Sequence, residues 1–357
     1  MKKVAIYTLQ EYNYGNRLQN YAVQQTLENL GYQVVSLNLL SPSERNEKIF
    51  QRYHFLEKIK AFMPLISKME MLYRAYLKRD RIGNFKRFNQ IIHFADDNEY
   101  ISKEKCNISL EKYYAIVVGS DQVWNTNFPT CTLNSFLPFK HDRKIAFSAS
   151  FGVDSIPNDE KIADCLKQFR AISVREDTGK KIVMDLSNKD ATVLIDPTLM
   201  IDAVDWRKLS RRPKNVKEGY ILTYFLSPKC TEADSMLKIS YHGRKIYELL
   251  NSEESIDGIG PAEFLWMFDH ADLILTDSYH ASIFSFLFNK PFVVFDRNWE
   301  GGNMNSRLDT FLSRFDIERK HYSPVSDINI WEHNYEKGYA VLEKERGKVT
   351  HFLQENL

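Results

Sequence analysis

The chain has 357 residues, 43% of them hydrophobic, which is more than one ordinary core holds and about right for two domains with a cleft between them. Its 48 lysines and arginines stand against 47 aspartates and glutamates, so the net charge of +1 offers no electrostatic footprint for nucleic acid, and an anionic ligand has to be held by a local cluster. Cys106, Cys131, Cys165 and Cys230 are dispersed, with neither a C-x-x-C pair nor the spacing of a disulfide scaffold, and read as reduced thiols in cytosol.

In chain order, Val4 to Thr8 predicts a core strand, since the apolar run is too short for a signal peptide. No later run is long enough to span a membrane. A polar loop (Gln10 to Gly15) leads into a helix with Leu18, Ala22, Val23, Leu27 and Leu30 on one face, and Gln33 to Leu37 completes a β-α-β start of the kind a buried parallel sheet contains. Residues 44 to 90 differ, with twelve Lys/Arg against five Asp/Glu and interleaved aromatics. They predict a mostly helical insertion, either a basic face that leans on an anionic membrane or lipid-linked substrate, or a solvated helical pair with its aromatics turned inward. Strands resume at Ala115 to Val118, Ile145 to Ser148, Ala171 to Val174 and Thr192 to Ile195, with a helix at Asp159 to Phe169, and this alternation implies a doubly wound sheet. Asp196-Pro197 closes it, and the polar stretch to Lys217 places the domain boundary near residue 200. The second half, 201–357, predicts a strand at Tyr220 to Leu226, a helix from Gly260-Pro261 to His270, a strand at Asp272 to Thr276, a buried helix at Tyr279 to Phe288 and a strand at Phe292 to Phe295. Trp331 to Leu357 reads as a closing helix that crosses back to the first domain.

Three segments put polar residues beyond strand ends, where α/β sheets bind ligands. Gly15, Asn16 and Gln19 follow the first strand: Gly15 allows close backbone approach, while Asn16 either caps the helix or helps hold a ligand. Ser120, Asp121, Gln122, Trp124 and Asn125 follow the strand ending at Val118, and combine hydroxyl-binding groups with one indole. They suit a sugar, unless the segment is a turn with Trp124 in the core. Asp277-Ser278-Tyr279-His280 marks a strand-to-helix junction, with His280 in the first helical turn where an incoming anion docks. Arg175, directly after a strand, and Arg307 carry planar forks suited to carboxylate or phosphate, with surface pairing as the alternative. No D-x-D, P-loop or G-x-S-x-G occurs, and the histidines and cysteines form no local metal motif, so no metal is expected.

Taken together, Tyr14-Gly15-Asn16, Gly119-Ser120-Asp121-Gln122-Val123-Trp124-Asn125, Ser173-Val174-Arg175-Glu176, Asp196-Pro197-Thr198, Ser278-Tyr279-His280-Ala281 and Asn305-Ser306-Arg307-Leu308 resemble the polysaccharide pyruvyl transferase family, over residues 14 to about 310. The resemblance implies two Rossmann-like α/β domains similar to the GT-B glycosyltransferases, with the acceptor on the first and the donor on the second. It implies phosphoenolpyruvate as co-substrate, no other cofactor, and a saccharide acceptor in a polysaccharide or its lipid-linked precursor, bridged by pyruvate as a ketal. His280 matches the family's acid. Arg175 matches its donor-holding arginine, and Ser278, Tyr279, Asn305 and Arg307 fall on the donor side. Many relatives have arginine where this chain has Ser278, which leaves Arg175, Arg307 or a nearby lysine to neutralise the donor's carboxylate, or a different donor. The expected location is cytoplasmic, with peripheral contact at the inner membrane face. The rival readings are a metal-independent glycosyltransferase using a nucleotide sugar and a non-catalytic component of a polysaccharide-assembly complex.

Overall fold

The computed structural model describes residues 1–44, 79–240, 243–250, 258–297, 305–319 and 330–357. Most of the basic insertion expected at 44–90 lies outside them, as do residues 298–304 ahead of Arg307; of the insertion, residues 79–88 are helical.

Strand β1 (Lys3–Tyr7), helix α1 (Tyr14–Asn29) and β2 (Gln33–Ser36) form the opening crossover, with Val4 paired to Val34 in parallel register. Asn13 caps α1 through its side chain, at 3.3 Å from the amide of Asn16, so Asn16 is free of that duty. A small antiparallel ribbon of β3 (Tyr100–Ile101) and β4 (Cys106–Asn107) follows. Then come β5 (Ala115–Val118), β6 (Lys144–Ala149), α2 (Glu160–Lys167), β7 (Ala171–Val174), α3 (Asp177–Ser187) and β8 (Thr192–Val193). The six-stranded sheet is parallel throughout, in the order β2-β1-β5-β6-β7-β8. The order reverses between β1 and β5, which opens a crevice beyond their carboxyl ends.

Helix α4 (Ala203–Leu209) leads to the second sheet: β9 (Tyr220–Tyr224), α5 (Thr231–Ser240), β10 (Lys245–Glu248), α6 (Pro261–His270), β11 (Leu273–Thr276), α7 (Tyr279–Leu287) and β12 (Phe292–Val294). Its four strands run parallel in the order β10-β9-β11-β12, reversing between β9 and β11. The doubly wound α/β architecture expected from the alternation is therefore present twice. Helices α8 (Ser306–Arg314) and α9 (Glu336–Asn356) complete the chain.

The halves share one apolar core. A single cluster contains Val4 and Tyr14 of the first sheet region, Trp206 of α4, Phe264 of α6, Phe284 of α7 and Leu353 of α9. Tyr14 stacks on Phe264 with ring centroids 4.7 Å apart, so the start of α1 is fixed against the second half one residue before Gly15.

Candidate active site

Both crevices open into one cavity of about 390 Å³, lined from the first half by Gly15, Asn16, Asp121 and Gln122 and from the second by Ser278, Tyr279, His280, Arg297 and Arg307. A volume of this size suits a small ligand. His280 is in the first turn of α7, whose N-cap is Ser278. Helix α7 is buried along its whole length, which explains why its sequence is apolar all round and why the His280 backbone has one position. The ring lies against Gly15. A Cβ at that position would stand 2.6 Å from His280 Cε1 and 2.8 Å from Cγ, and closer still to Nδ1. Only glycine leaves the imidazole its place.

On its other side the imidazole meets carboxylates. His280 Nε2 is buried without a hydrogen-bond partner and lies 3.7 Å from Asp196 Oδ2, a charge-pair distance longer than a hydrogen bond. Asp196 is fully buried and fixed from every side: Arg175 Nη1 donates to it at 2.6 Å, while the amide and hydroxyl of Thr198 donate to its Oδ1 at 2.9 and 2.7 Å. Arg175 Nη2 donates to Asp121 at 3.1 Å, and Asn16 Nδ2 donates to the other oxygen of Asp121. Burial works to raise the pKa of Asp196, but His280 and Arg175 outweigh it and hold the group well below the usual carboxylate range. The same contest lowers Asp121, where burial is overcome first by Arg175, then by His280 and Arg307. Both groups are carboxylates at neutral pH.

Three arginines divide the positive charge. Arg175 is completely buried, its two terminal nitrogens taken up by Asp121 and Asp196, and it does not line the cavity. Arg307 does line it, and burial, then the neighbouring Arg175 and Arg297, push its pKa down to about 10. The Tyr279 ring lies between Arg175 and Arg307, 4.7 and 5.7 Å from their guanidinium carbons. Arg297, just past the end of β12, also lines the cavity, 3.7 Å from Asp277, and its amide donates to Asn305 at 3.0 Å. Sequence reasoning missed Arg297. The strand-end position that singled out Arg175 applies to it equally.

Of the residues expected to bind ligand, Gly15, Asn16, Asp121, Gln122, Ser278, Tyr279, His280 and Arg307 come together at the cavity. Gln19, Ser120, Trp124, Asn125, Arg175 and Asn305 do not line it. Gln19 is a buried brace, donating to Thr8 at 2.7 Å and accepting from the Ser120 amide at 2.9 Å. Ser120 donates to the Ser148 carbonyl at 2.7 Å, and Asn125 donates to Gln122 at 2.8 Å, steadying a residue that does face the cavity. The expectation that Trp124 offers a ring face to a sugar is corrected: the indole is fully buried, stacked 5.5 Å from Phe136, and its N–H donates to the Ser135 carbonyl at 3.0 Å. Among the described residues no group of three or more His, Cys, Asp or Glu is placed to hold a metal ion, and no described helix is long and apolar enough to cross a membrane.

The family model for polysaccharide pyruvyl transferase matches residues 13–298. The chain belongs to the polysaccharide pyruvyl transferase family. The matched span holds every cavity residue named above except Arg307. Among curated proteins no relative of this pyruvyl transferase family member matches in sequence. Among solved structures it is similar to the UDP-GlcNAc 2-epimerase of Neisseria meningitidis bound to UDP-GlcNAc, at 11% identity and a TM-score of 0.49, covering 99% of this chain and 100% of that one. It is also similar to the Methanocaldococcus jannaschii UDP-GlcNAc 2-epimerase (14%, TM-score 0.41, 96% and 99% covered) and to Acinetobacter baumannii MurG (10%, TM-score 0.39, 99% and 98% covered).

Proposed function

We propose that the chain transfers the pyruvyl group of phosphoenolpyruvate to two hydroxyls of one sugar in a polysaccharide or its lipid-linked precursor, forming a ketal, with His280 as general acid. The observation that carries this reading is the His280 imidazole, its Nε2 unpartnered, set in a cavity that also holds Arg297 and Arg307. Family membership supports it. The donor's carboxylate and phosphate need cations that face the cavity, and these two arginines line it, whereas both terminal nitrogens of Arg175 bond protein carboxylates and Arg175 does not line it. Ser278 then needs no charge of its own. It holds the start of α7 as N-cap.

His280 in its acid form protonates the donor's methylene carbon, which becomes the methyl group, and the adjacent carbon becomes electrophilic. One sugar hydroxyl adds there, the carbon–oxygen bond to phosphate breaks, and the second hydroxyl closes the ring. Of the two hydroxyl protons, one restores His280 and the other leaves on the phosphate. Asp121, its pKa lowered chiefly by Arg175, serves as a charged hydrogen-bond acceptor, and with Asn16 and Gln122 it orients the hydroxyls. The arginines stabilise the departing phosphate. The scheme calls for no metal or further cofactor.

Calorimetric titration with phosphoenolpyruvate tests the reading directly. We expect saturable binding, weakened at least ten-fold in Arg307→Ala, and release of phosphate with acceptor that is lost in His280→Ala although donor still binds. Binding of UDP- or GDP-sugars without phosphoenolpyruvate binding would move the protein to glycosyl transfer. Wild-type turnover in His280→Ala would remove the acid from the mechanism.

A further inference from the structure

A second cavity, of about 700 Å³, lies outside the site described above and is lined by Arg79, Lys86 and Arg87 of the helical residues 79–88, by Arg211, Arg212 and Lys214 of the segment leaving α4, and by Asp80 and Glu263. Six cations therefore face two carboxylates in a protein whose overall charge is only +1, so the cluster is local and not a reflection of a basic chain. One of the two carboxylates is already engaged, since Glu263 accepts from Arg211 at 2.6 Å and from the Gly260 amide at 3.0 Å. Arg87 donates to the neutral Asn84 at 2.8 Å, while Arg212 donates to the Val216 carbonyl at 3.1 Å and has Glu218 at 3.9 Å. No ion pair holds Arg79, Lys86 or Lys214 among the described residues. Crowding this much like charge into one groove raises the energy of the empty protein and is relieved when an anion enters.

The groove is bounded by elements that also build the catalytic cleft. Glu263 lines the groove and Phe264, its neighbour on α6, lines the cleft. Arg81 of the helical residues 79–88 donates to the Tyr12 carbonyl at 3.1 Å and stacks 5.0 Å over Tyr14, and Asn84 donates to the Gly258 carbonyl. Groove and cleft thus share one helix, α6, between them. An uncharged sugar gives no reason for six cations beside its site, whereas a diphosphate does: its oxygens accept paired bonds from guanidinium forks, and its charge satisfies several cations at once.

We propose that this groove is an anion-binding site for a diphosphate group borne by the acceptor saccharide, seated there while the sugar reaches His280. The proposal rests on the pyruvyl-transfer reading for its acceptor, but the groove's anion chemistry is testable alone. The probe is inorganic pyrophosphate, titrated at low ionic strength into the full chain, into Lys86→Glu/Lys214→Glu, and into the cleft variant Arg307→Ala. We expect binding that falls at least ten-fold in the groove variant and persists in the cleft variant, with thermal unfolding showing both variants folded. Pyrophosphate should also inhibit transfer competitively with acceptor and not with phosphoenolpyruvate, and the groove variant should escape that inhibition. Equal pyrophosphate affinity in wild type and groove variant, loss only in Arg307→Ala, or binding to phosphatidylglycerol vesicles with none to pyrophosphate would each overturn the assignment, the last in favour of a membrane surface. Inhibition competitive with phosphoenolpyruvate would overturn the link to the acceptor. If pyrophosphate binds in the groove but no phosphate is released from phosphoenolpyruvate, the transfer reading alone has failed.

Discussion

At the scale of single residues, the placement of the His280 ring depends on what is missing from Gly15. A methyl group there would overlap the His280 ring, and α7 is too tightly buried to retreat, so the imidazole itself has to rotate or shift. Gly15→Ala should leave the fold intact and lower kcat about 100-fold, the penalty expected for a displacement near 1 Å, while donor affinity changes little. Single-turnover kinetics beside donor titration checks this; unchanged kcat would separate His280 from the chemistry. Asp196 gives a second residue-scale expectation. Its folded pKa is depressed against burial by His280 and Arg175, so the fold favours its ionised form. That contribution is complete above the unfolded value of about 3.9 and disappears as pH falls through the lower folded value. The stability advantage of wild type over Asp196→Asn should therefore be largest near neutrality and shrink as pH falls below about 4, measured as urea midpoints across pH. A gap that stays constant would show that the carboxylate's charge is not what the fold uses. His280 was legible in the sequence because a strand, a polar junction and an apolar helix mark its position unambiguously. Trp124 was misread because an indole beside polar residues has the same sequence pattern whether its ring meets a sugar or, as here, Phe136 and Phe151.

At the scale of elements, legibility followed burial. Helix α7 and strands β1, β5 and β11 are buried through nearly their whole length, and continuous apolar runs announce them. Strand β10 went unseen because it is the outer strand of its sheet, and Lys245-Ile246-Tyr247-Glu248 keeps only Tyr247 fully buried. Helix α9 has consequences beyond its own packing. Arg346 donates from Nε to the Leu199 carbonyl at 2.8 Å and pairs with Asp202, so the closing helix grips the short turn Pro197–Met200 that begins directly after Asp196. Arg346→Ala should cost about 1.5–3 kcal/mol, the usual range for a hydrogen bond to a charged group. Because the turn also carries Thr198, which fixes Asp196, kcat should fall modestly as well. Lost stability with fully retained kcat would confine α9 to a structural role.

For the whole molecule, the question is whether two sheets with a site between them behave as two domains. Domain interfaces within a chain are usually modest and polar, and permit relative motion. Here the junction is aromatic. Tyr14 stacks on Phe264 and on Phe85, Tyr21 lies 5.7 Å from Trp206, and Trp206 meets Phe284 at 5.2 Å, while the Tyr14 hydroxyl donates to the Ile259 carbonyl at 3.3 Å. These contacts belong to the one cluster that runs from β1 to the last helix, so neither half can unfold without exposing the core of the other. Calorimetry should accordingly give one transition whose van't Hoff and calorimetric enthalpies agree. Tyr14→Ala removes the ring at the centre of this junction and leaves a cavity that its large neighbours cannot fill, a change worth about 3–5 kcal/mol for a buried aromatic. That variant should show a broadened or split transition. It should also lose turnover, because Gly15 follows Tyr14 directly and the fit between Gly15 and His280 is held by the same stack. Two separate transitions in the wild type would mean that the halves fold independently, and the cavity they share would then be free to open and close as a hinge.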